Sequence, residues 1–276
     1  EMYLPPLGLG YIATHLQEAG IDVEIIDCVK ARFGIKEIQR VLKEKEPDFI
    51  GINVFTQNYD IVKSIVEDCP VSSTVIVGGQ VVKSIYLEIL RWNVKNELIL
   101  IIGEGELILP ALLSGKCEEV PIYSDNGKSV YIVNQESKYF PVDLSSVHLN
   151  RAFLCEEIIN NHYGQKEAAI ITSRGCMYNC AFCGGARSLN HDISIRQRNP
   201  QDVMSEVREI MISHPEVTCI RVLDDLFLKD SGNMVEAINI FGEFKNLNWR
   251  GMAHVQTFLK SFDLLDSLQN SGCREI

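Results

Sequence analysis

The feature that most constrains the fold is a regular alternation of helical and strand patterns between Gly8 and Gly115. Apolar runs of strand length are separated by stretches in which apolar residues recur at helical spacing. Strands joined by helical crossovers run parallel, and helices then cover the faces of the sheet. The alternation therefore predicts an α/β fold that begins with a doubly wound parallel sheet. The predicted helices are 8–19, 35–45, 59–68, 82–92 and 107–113, and the predicted strands are 23–27, 49–54, 74–77 and 98–102.

Unusual residues lie at the predicted carboxyl ends of these strands and at the start of the first helix. A doubly wound sheet binds its ligand in the crevice beyond the carboxyl ends of its strands. Glycine at such positions lets a ligand approach the backbone closely. The candidate binding residues at this edge are Leu7, Gly8, Thr56, Gly78, Gly79, Gly103, Glu104 and Gly105.

A dinucleotide site is one interpretation of this edge. The run from Gly8 to Ala13 contains the glycines of a dinucleotide fingerprint, and Asp27 follows about 20 residues later, where a ribose-binding acid lies. The fingerprint should follow a strand directly. Pro5 and Pro6 precede it instead, and proline is excluded from central strands. A lone glycine pattern of this kind is weak, and it leaves other ligands open.

The second feature is a group of three cysteines, Cys176, Cys180 and Cys183, in a loop bounded by glycines. This cysteine loop follows a predicted strand over 168–172. A four-iron cluster held by four thiolates is coordinatively closed, whereas three thiolates leave one iron open to another ligand. The loop therefore predicts an iron–sulfur site that binds a further molecule.

Two other interpretations of the three cysteines are weaker. A structural zinc site has four Cys or His ligands, and the nearest further candidate, His191, has no second ligand beside it. A disulfide framework does not fit nine cysteines, an odd number, spread over 276 residues. The other six lack ligand spacing and are predicted to be small buried or partly buried side chains: Cys28, Cys69, Cys117, Cys155, Cys219 and Cys273.

The alternation resumes around and after the cysteine loop. Strands are predicted over 168–172, 218–223 and 249–254, with one helix capped by Asn199 and another over 259–268. This pattern predicts a truncated (β/α) partial barrel, whose chemistry lies at the carboxyl ends of its strands. Residues 116–166 are predicted to be a linker that contains a small hairpin at Asn126 and Gly127.

The cysteine loop, with Phe182 before the third cysteine and Gly184 after it, resembles the signature of the radical S-adenosylmethionine (SAM) superfamily. The resemblance implies a [4Fe–4S] cluster on the three cysteines whose open iron chelates SAM. It further implies that one electron from the cluster cleaves SAM, and that the resulting 5′-deoxyadenosyl radical abstracts a hydrogen atom. Phe182 and Gly184 are then expected to contact the cofactor.

The same resemblance implies SAM contacts from residues outside the loop. Asp224 and Asp225 follow the predicted strand 218–223, where members of the superfamily bind the amino group of SAM. Helix capping is an equal alternative for either aspartate. Arg198 is a candidate for the SAM carboxylate or ribose, with a surface position as its equal alternative. His254 is expected to be a satisfied histidine of the core or the rim.

The first part of the chain closely resembles the amino-terminal domain of cobalamin-dependent radical SAM enzymes. The resemblance rests on the run 5–13, on Gly20 followed by Asp27, on the pair Gly78-Gly79 and on the run 103–106. It implies that the candidate binding residues of the first edge hold cobalamin. Many cobalamin domains ligate cobalt through an Asp-x-His-x-x-Gly run. His15 and His148 both lack that aspartate, so cobalamin is expected without this ligand.

The resemblance divides the chain into three regions. Residues 1–115 are expected to be a Rossmann-like cobalamin-binding domain, 116–166 a linker, and 167–276 a radical SAM domain. The chain begins within a motif and stops at a turn that enters a strand, so it is predicted to be a fragment.

Composition limits the partners. The net charge of −11 argues against a nucleic-acid backbone or an anionic membrane surface as the main partner. The longest apolar runs are of strand length, too short to cross a bilayer. Free thiols and an oxygen-sensitive cluster predict a cytoplasmic protein.

The predicted function is cobalamin-dependent radical SAM methyl transfer to an unactivated carbon or phosphorus centre. The substrate is expected to be a small molecule or a peptide, and an electron donor such as flavodoxin or ferredoxin is expected as partner. The alternatives are a cobalamin-assisted radical cyclisation or rearrangement, and a non-catalytic iron–sulfur electron-transfer module.

Overall fold

A computed structural model describes residues 3–154, 157–185 and 195–276 of the chain. Within these residues the chain divides into two compact units. We call Gly8–Pro141 the amino-terminal unit, and Val142–Ile276, with the residues before Gly8, the carboxy-terminal unit. No helix in the described ranges has both the length and the apolar character needed to cross a membrane.

The amino-terminal unit is built on a five-stranded sheet in the order β1-β2-β3-β5-β4. The strands β1, β2, β3 and β5 are parallel, and β4 is antiparallel to β5. Its elements in chain order are α1 (Leu7–Glu18), α2 (Ile35–Lys45), β1 (Phe49–Asn53), α3 (Tyr59–Glu67), β2 (Thr74–Gly78), α4 (Val82–Ile89), β3 (Leu98–Gly103), α5 (Ile108–Leu113), β4 (Tyr123–Asp125) and β5 (Lys128–Val133).

Alternate side chains of the sheet point to two separate cores. Val75 and Leu98 pack on one face with side chains of α3 and α4. Ile76 and Ile101 pack on the other face with side chains of α1 and α5. Strands buried on both faces are rich in valine, leucine and isoleucine, which is why these runs lack polar alternation. The predicted doubly wound parallel sheet is confirmed.

The strand predicted over 23–27 was wrong. Residues 21–27 are in no strand of the structure. Val23 packs beneath the sheet with Ile76 and Ile101, and Glu24 forms an ion pair with Lys45. Alternation of apolar and acidic residues favours extended backbone, but a strand also needs a neighbour to complete its hydrogen-bond ladder.

The hairpin predicted at Asn126 and Gly127 is present, but not as part of a linker. Both turn residues have positive φ, +49° and +71°, as a two-residue hairpin turn requires. Strand β5 pairs in parallel with β3, from Leu98 opposite Lys128 to Gly103 opposite Val133. The prediction that this hairpin lies in a linker was wrong, because β5 pairs with β3 and extends the sheet.

The carboxy-terminal unit has a second five-stranded sheet in the order β12-β11-β10-β7-β6, and a two-stranded pair β8-β9. The strands β7, β10, β11 and β12 are parallel, as predicted for a (β/α) unit, and β6 is antiparallel. Its elements in chain order are β6 (Ile159–Asn160), β7 (Lys166–Ile170), β8 (Ser173–Arg174), β9 (Arg196–Gln197), α6 (Pro200–Ser213), β10 (Cys219–Val222), α7 (Ser231–Gly242), β11 (Asn248–Arg250), α8 (Val255–Lys260), α9 (Leu265–Asn270) and β12 (Cys273–Glu275).

One face of this second sheet packs on its helices. Trp249 of β11 is fully buried, and its ring stacks on Phe241 of α7 with ring centroids 4.9 Å apart. Ile220 and Val207 belong to the same core. Asn199 caps α6, since its side chain accepts a hydrogen bond from the backbone N–H of Gln201, as predicted.

Three details of this unit differ from the prediction. The strand predicted over 249–254 ends at Arg250, and Ala253 beyond it joins Leu228 in an isolated parallel bridge. The helix predicted over 259–268 is two helices, α8 and α9, separated by a turn over Phe262–Leu264. Helix α7 was not predicted, because its Ser-Gly-Asn start has weak helix propensity and burial of its apolar face stabilises it.

Candidate functional site

The carboxyl edge of the first sheet collects most of the predicted binding residues of the amino-terminal unit. Thr56 begins a turn after β1, Gly78-Gly79 ends β2, and Gly103–Gly105 ends β3. Because β1, β2 and β3 are parallel, these residues share one edge. Leu7 and Gly8 open α1. Gly105 packs against α1, since a Cβ placed there would lie 3.3 Å from Ile12.

Two of these glycines have a structural requirement of their own. Gly79 has φ +116°, and a Cβ there would lie 2.2 Å from Oδ1 of Asn53. Gly103 has φ +108°, and a Cβ there would lie 2.2 Å from the carbonyl oxygen of Val133. Such backbone strongly favours glycine. The glycines thus shape the edge by letting backbone segments of the protein approach each other.

Asn53 is a polar residue at this edge that the sequence did not single out. Its Oδ1 is buried and has no hydrogen-bond partner among the described residues. Its backbone carbonyl accepts from Asn58 Nδ2 at 3.0 Å. A buried acceptor without a donor costs free energy, on the order of 1–3 kcal/mol. A ligand that donates a hydrogen bond here would recover that cost. The signal in the sequence was a polar residue that ends a buried apolar strand.

Asp27 has a local role that bears on the dinucleotide interpretation. Its Oδ1 accepts hydrogen bonds from the backbone N–H groups of Val29 and Lys30, at 3.1 and 2.9 Å. A carboxylate that bonds to the backbone two and three residues on stabilises a turn. The described residues ahead of α1 form no strand, so the strand that the fingerprint requires is not among them.

In the carboxy-terminal unit, Asp224 ties the chain after β10 to the start of the cysteine loop. Its side chain is almost fully buried. It accepts hydrogen bonds from the backbone N–H of Thr172 at 2.7 Å, from the Thr172 hydroxyl at 2.5 Å and from the Ser173 hydroxyl at 2.7 Å. Burial raises the pKa of Asp224, and the hydrogen bonds from Ser173 and Thr172 oppose that rise. The carboxylate therefore fixes where the cysteine loop begins.

Asp225 is an exposed residue, unlike its neighbour, and partial burial of its carboxyl group raises its pKa. Among the described residues it has no hydrogen bond or ion pair. A Cβ placed on Gly185, just after the cysteine loop, would lie 3.8 Å from this carboxylate and 3.6 Å from the sulfur of Cys183. The structure thus separates two adjacent aspartates into one that holds the loop and one that faces it.

The cysteine loop itself is short and half-exposed. Cys176 and Cys180 are partly buried, Cys183 is exposed, and the ring of Phe182 is 93% exposed. The backbone N–H of Cys183 donates to the carbonyl of Cys180 at 3.0 Å. Partial burial raises the pKa of Cys176, and the nearby Asp225 adds to the rise.

Among the described residues, the three thiols do not form a preformed metal site. In the part of the chain that is described, no three His, Cys, Asp or Glu side chains form a group able to hold a metal ion. His191 and Cys155 lie outside the described residues. Of the other five additional cysteines, Cys219 is buried and the rest are partly buried, as predicted.

Arg198 contacts the backbone that leads into the cysteine loop. Its guanidinium donates to the carbonyl of Ile171 at 2.9 Å and forms an ion pair with Glu206 of α6. Arg151 joins the same carboxylate, with Nη1 2.7 Å from Glu206, and its Nη2 donates to the carbonyl of Ala169 at 2.9 Å. These two arginines link α6 to the backbone at the end of β7, just before the loop. Arg151 and Glu206 were not identified from the sequence, which gave only isolated charges.

A buried charged cluster lies on the face of the second sheet opposite the helices. Arg250 donates from Nε and Nη2 to the two carboxylate oxygens of Glu167, at 2.7 and 2.8 Å. Its Nη1 donates to Glu275 at 2.8 Å. Burial and the carboxylate of Glu167 raise the pKa of Cys219 to about 12, so this thiol stays protonated.

Comparison with known proteins adds family information at this point. Residues 1–113 match the family model described as the B12 binding domain. The chain is 24% identical, over 285 aligned positions, to the uncharacterized methyltransferase PH0819 of Pyrococcus horikoshii. It is 22% identical, over 324 positions, to the cytidylyl-2-hydroxyethylphosphonate methyltransferase of Streptomyces wedmorensis. These alignments cover 99% and 98% of this chain and 60% of each relative, so the chain spans about three fifths of their length.

The fold is similar to that of solved structures. The cobalamin-dependent SAM radical enzyme OxsB, with aqua-cobalamin and SAM bound, superposes with a TM-score of 0.65 at 19% identity, over 98% of this chain and 39% of that one. The selenomethionine-labelled structure of OxsB without ligands gives a TM-score of 0.66 over 97% of this chain and 40% of that one. The predicted α/β fold with parallel sheets is therefore confirmed.

The residues of both edges fit the groups that the resemblance implies. A corrin ring is flat and carries amide side chains, which suits an edge of glycines beside the unpartnered acceptor of Asn53. Three thiols within eight residues supply the soft donors that iron–sulfur clusters take. For the cluster, the fit rests on the donors and their spacing, since the described residues contain no group of three side chains placed to hold a metal ion.

Proposed function

We propose that this chain is part of a radical SAM enzyme that uses a [4Fe–4S] cluster, SAM and cobalamin in methyl transfer to an unactivated carbon or phosphorus centre. One observation carries the proposal. A three-cysteine loop, held by the buried Asp224 beyond the strands of a parallel sheet, shares a chain with a region that matches the B12 binding domain. Methyl transfer is supported by the names of both curated relatives, one of which acts on a cytidylylated phosphonate.

The proposal assigns a role to each region. The amino-terminal unit, which includes the hairpin, binds cobalamin, and the carboxy-terminal unit binds the cluster and SAM. When bound, the cluster supplies an electron for the cleavage of SAM and cobalamin supplies a carrier for a methyl group. Residues 78–79 and 103–105 line the cobalamin site, and Asn53 accepts one hydrogen bond from cobalamin.

The two aspartates act differently in this proposal. Asp224 has both carboxylate oxygens engaged by Thr172 and Ser173, so it is a positioning residue for the loop. Asp225 has a negative charge without a partner among the described residues, and it lies beside Cys183. A carboxylate in that position accepts hydrogen bonds from the ammonium group of SAM. Phe182 and Gly184 complete the SAM surface, and Arg198 acts by holding the loop in place.

The proposed partners follow from the same chemistry. The substrate is a small molecule or a peptide, and the electron comes from a donor such as flavodoxin or ferredoxin in the cytoplasm. A radical cyclisation or rearrangement and a pure electron-transfer module remain the competing functions, and each predicts different products.

The test uses the full-length protein, reconstituted without oxygen with iron, sulfide and cobalamin. EPR spectra of the reduced protein are recorded with and without SAM, and nucleoside products are separated by chromatography. Methyl transfer yields S-adenosylhomocysteine together with 5′-deoxyadenosine. Cyclisation or rearrangement yields 5′-deoxyadenosine alone. A cluster signal that ignores SAM, with neither product, overturns the enzymatic proposal.

Matched cysteine variants sharpen the result. Cys180→Ala removes one thiol of the loop, and Cys69→Ala removes a partly buried thiol of the amino-terminal unit. We expect Cys180→Ala to lose the SAM-sensitive cluster signal and Cys69→Ala to keep it. Equal iron content and equal EPR signals in both variants contradict the assignment of the loop.

A further inference from the structure

The middle of the cysteine loop contacts the carboxyl end of a neighbouring strand through two rings. Tyr178 lies between Cys176 and Cys180, and His254 follows β11. Their ring centroids are 3.8 Å apart and the ring planes differ by 13°, which is a face-to-face stack. Tyr178 is therefore one point at which the loop contacts a residue far away in sequence.

The ring of His254 is itself held in place. Its Nδ1 accepts a hydrogen bond from the backbone N–H of Gln256 at 3.2 Å, so His254 caps α8 and the proton of the neutral ring is on Nε2. Helix α8 is anchored in turn by Thr257, whose buried hydroxyl lies 3.1 Å from the carbonyls of both Leu228 and Lys229.

The segment that contains the two aspartates lies beside the segment that leads to His254. The backbone N–H groups of Phe227 and Leu228 donate to the carbonyl of Met252, at 3.0 and 3.1 Å. The segment after β10 and the segment after β11 thus run side by side. The cysteine loop is held by Asp224 at its start and meets His254 at its middle, so both contacts belong to one framework.

We propose that His254 is a positioning residue for the cysteine loop. The helix cap orients the His254 ring, and Tyr178 stacks on that ring. The stack fixes the direction in which the side chains of the two flanking cysteines point. This role rests on the proposed function, because three thiolates bind one cluster only when the loop holds their sulfur atoms close together. The contact involves only side chains of this chain, so its contribution can be measured in the protein without cofactor.

Two substitutions of His254 separate the ring from the cap. His254→Asn keeps a capping side chain and removes the ring, because asparagine is among the best N-cap residues. His254→Phe keeps a ring and removes the cap. For the stacking partner, Tyr178→Phe keeps the aromatic ring and Tyr178→Ala removes it. Val255→Ala, on the exposed face of α8, is the matched control.

The readout is amide hydrogen exchange over residues 176–183, together with the alkylation rate of the three loop thiols, in the full-length protein without iron. An aromatic stack contributes enough to lower the protection by about twofold to tenfold when one ring is lost. We expect that loss in His254→Asn and Tyr178→Ala. We expect protection close to wild type in His254→Phe, Tyr178→Phe and Val255→Ala. Thermal unfolding of each variant shows whether it is folded.

Two results overturn the proposal. One is unchanged exchange of the loop in a folded His254→Asn variant. The other is equal loss of protection in His254→Phe, which assigns the effect to the cap instead of the ring. A different result would overturn the proposed function alone. In that case the wild-type protein assembles no SAM-sensitive cluster, while protection of its loop still depends on the ring of His254.

Discussion

The two units shape their binding edges by opposite means. The edge of the amino-terminal unit is formed by missing side chains, since Gly79 and Gly103 have positive φ and lie where a Cβ would strike neighbouring atoms. The edge of the carboxy-terminal unit is formed by buried charged side chains, with Asp224 and Arg198 bonded to the backbone and hydroxyls around the cysteine loop. A glycine edge is fixed by backbone geometry. A charged edge depends on both partners of each contact and on their protonation.

The buried pair of Glu167 and Arg250 provides the strongest test of this contrast. Arg250→Met leaves a carboxylate that is 1% exposed without its two-point partner. Loss of one member of a buried pair costs about 3–5 kcal/mol of unfolding free energy. Urea unfolding of the full chain, followed by fluorescence, measures the change. The double variant Glu167→Met with Arg250→Met removes both charges and is expected to recover most of the loss. A single variant that unfolds like wild type would show that charge does not stabilise this unit.

Acid should weaken the same pair. Burial acts to raise the pKa of Glu167, but hydrogen bonds from Arg250 and Asn161 outweigh it, and the pKa lies below its ordinary value of 4.5. The stability from this carboxylate is therefore present above pH 4.5 and is lost as the pH falls through the lowered value. Unfolding free energies of wild type and Glu167→Gln, measured from pH 7 downwards, are expected to converge in acid. Parallel curves at all pH values contradict the assignment.

Asp224 tests the charged edge directly. Asp224→Ala removes the acceptor for three buried donors of Thr172 and Ser173, and is expected to cost about 2–4 kcal/mol. Asp224→Asn keeps the shape and one acceptor, so its loss should be smaller. Chemical unfolding gives the two values, and hydrogen exchange at 172–176 shows whether the loop start is freed. Equal stability of the alanine variant and wild type would remove Asp224 from the support of the loop.

The glycine edge is tested by adding one carbon. Gly79→Ala places a Cβ 2.2 Å from Asn53 at φ +116°, and is expected to cost about 1–3 kcal/mol and to displace Asn53. Gly51→Ala, in the neighbouring strand β1, meets nothing within 4 Å and is the matched control, with a change within about 0.5 kcal/mol. Thermal unfolding measures both. If the two substitutions cost the same, the edge does not depend on missing side chains.

Local patterns predicted the elements of the fold well where one rule decided them. Helix α2 has the predicted bounds, Ile35–Lys45, because an apolar stripe fixes its face and Pro47 ends it. The same rules failed at 23–27 and at 251–254, where the outcome depended on whether another segment paired with the strand along its length. The features of the candidate site likewise fall into those that the sequence predicts and those that it does not. The cysteine spacing, the glycine pairs and the two aspartates are visible in the sequence, whereas the difference between Asp224 and Asp225 is not.

The sequence alone was enough to predict the alternation of strands and helices, the parallel sheets that follow from it, and the grouping of three thiols on one loop. These are properties of neighbouring residues, so spacing is enough to show them. Tertiary structure decided which strands pair, that β5 joins β3, that Glu206 receives both Arg151 and Arg198, and that His254 lies on Tyr178. Apart from the pair Arg198 and Glu206, which are eight residues apart, each of these contacts joins residues far apart in the chain. Their formation depends on packing that brings distant elements together, and no local pattern encodes that distance.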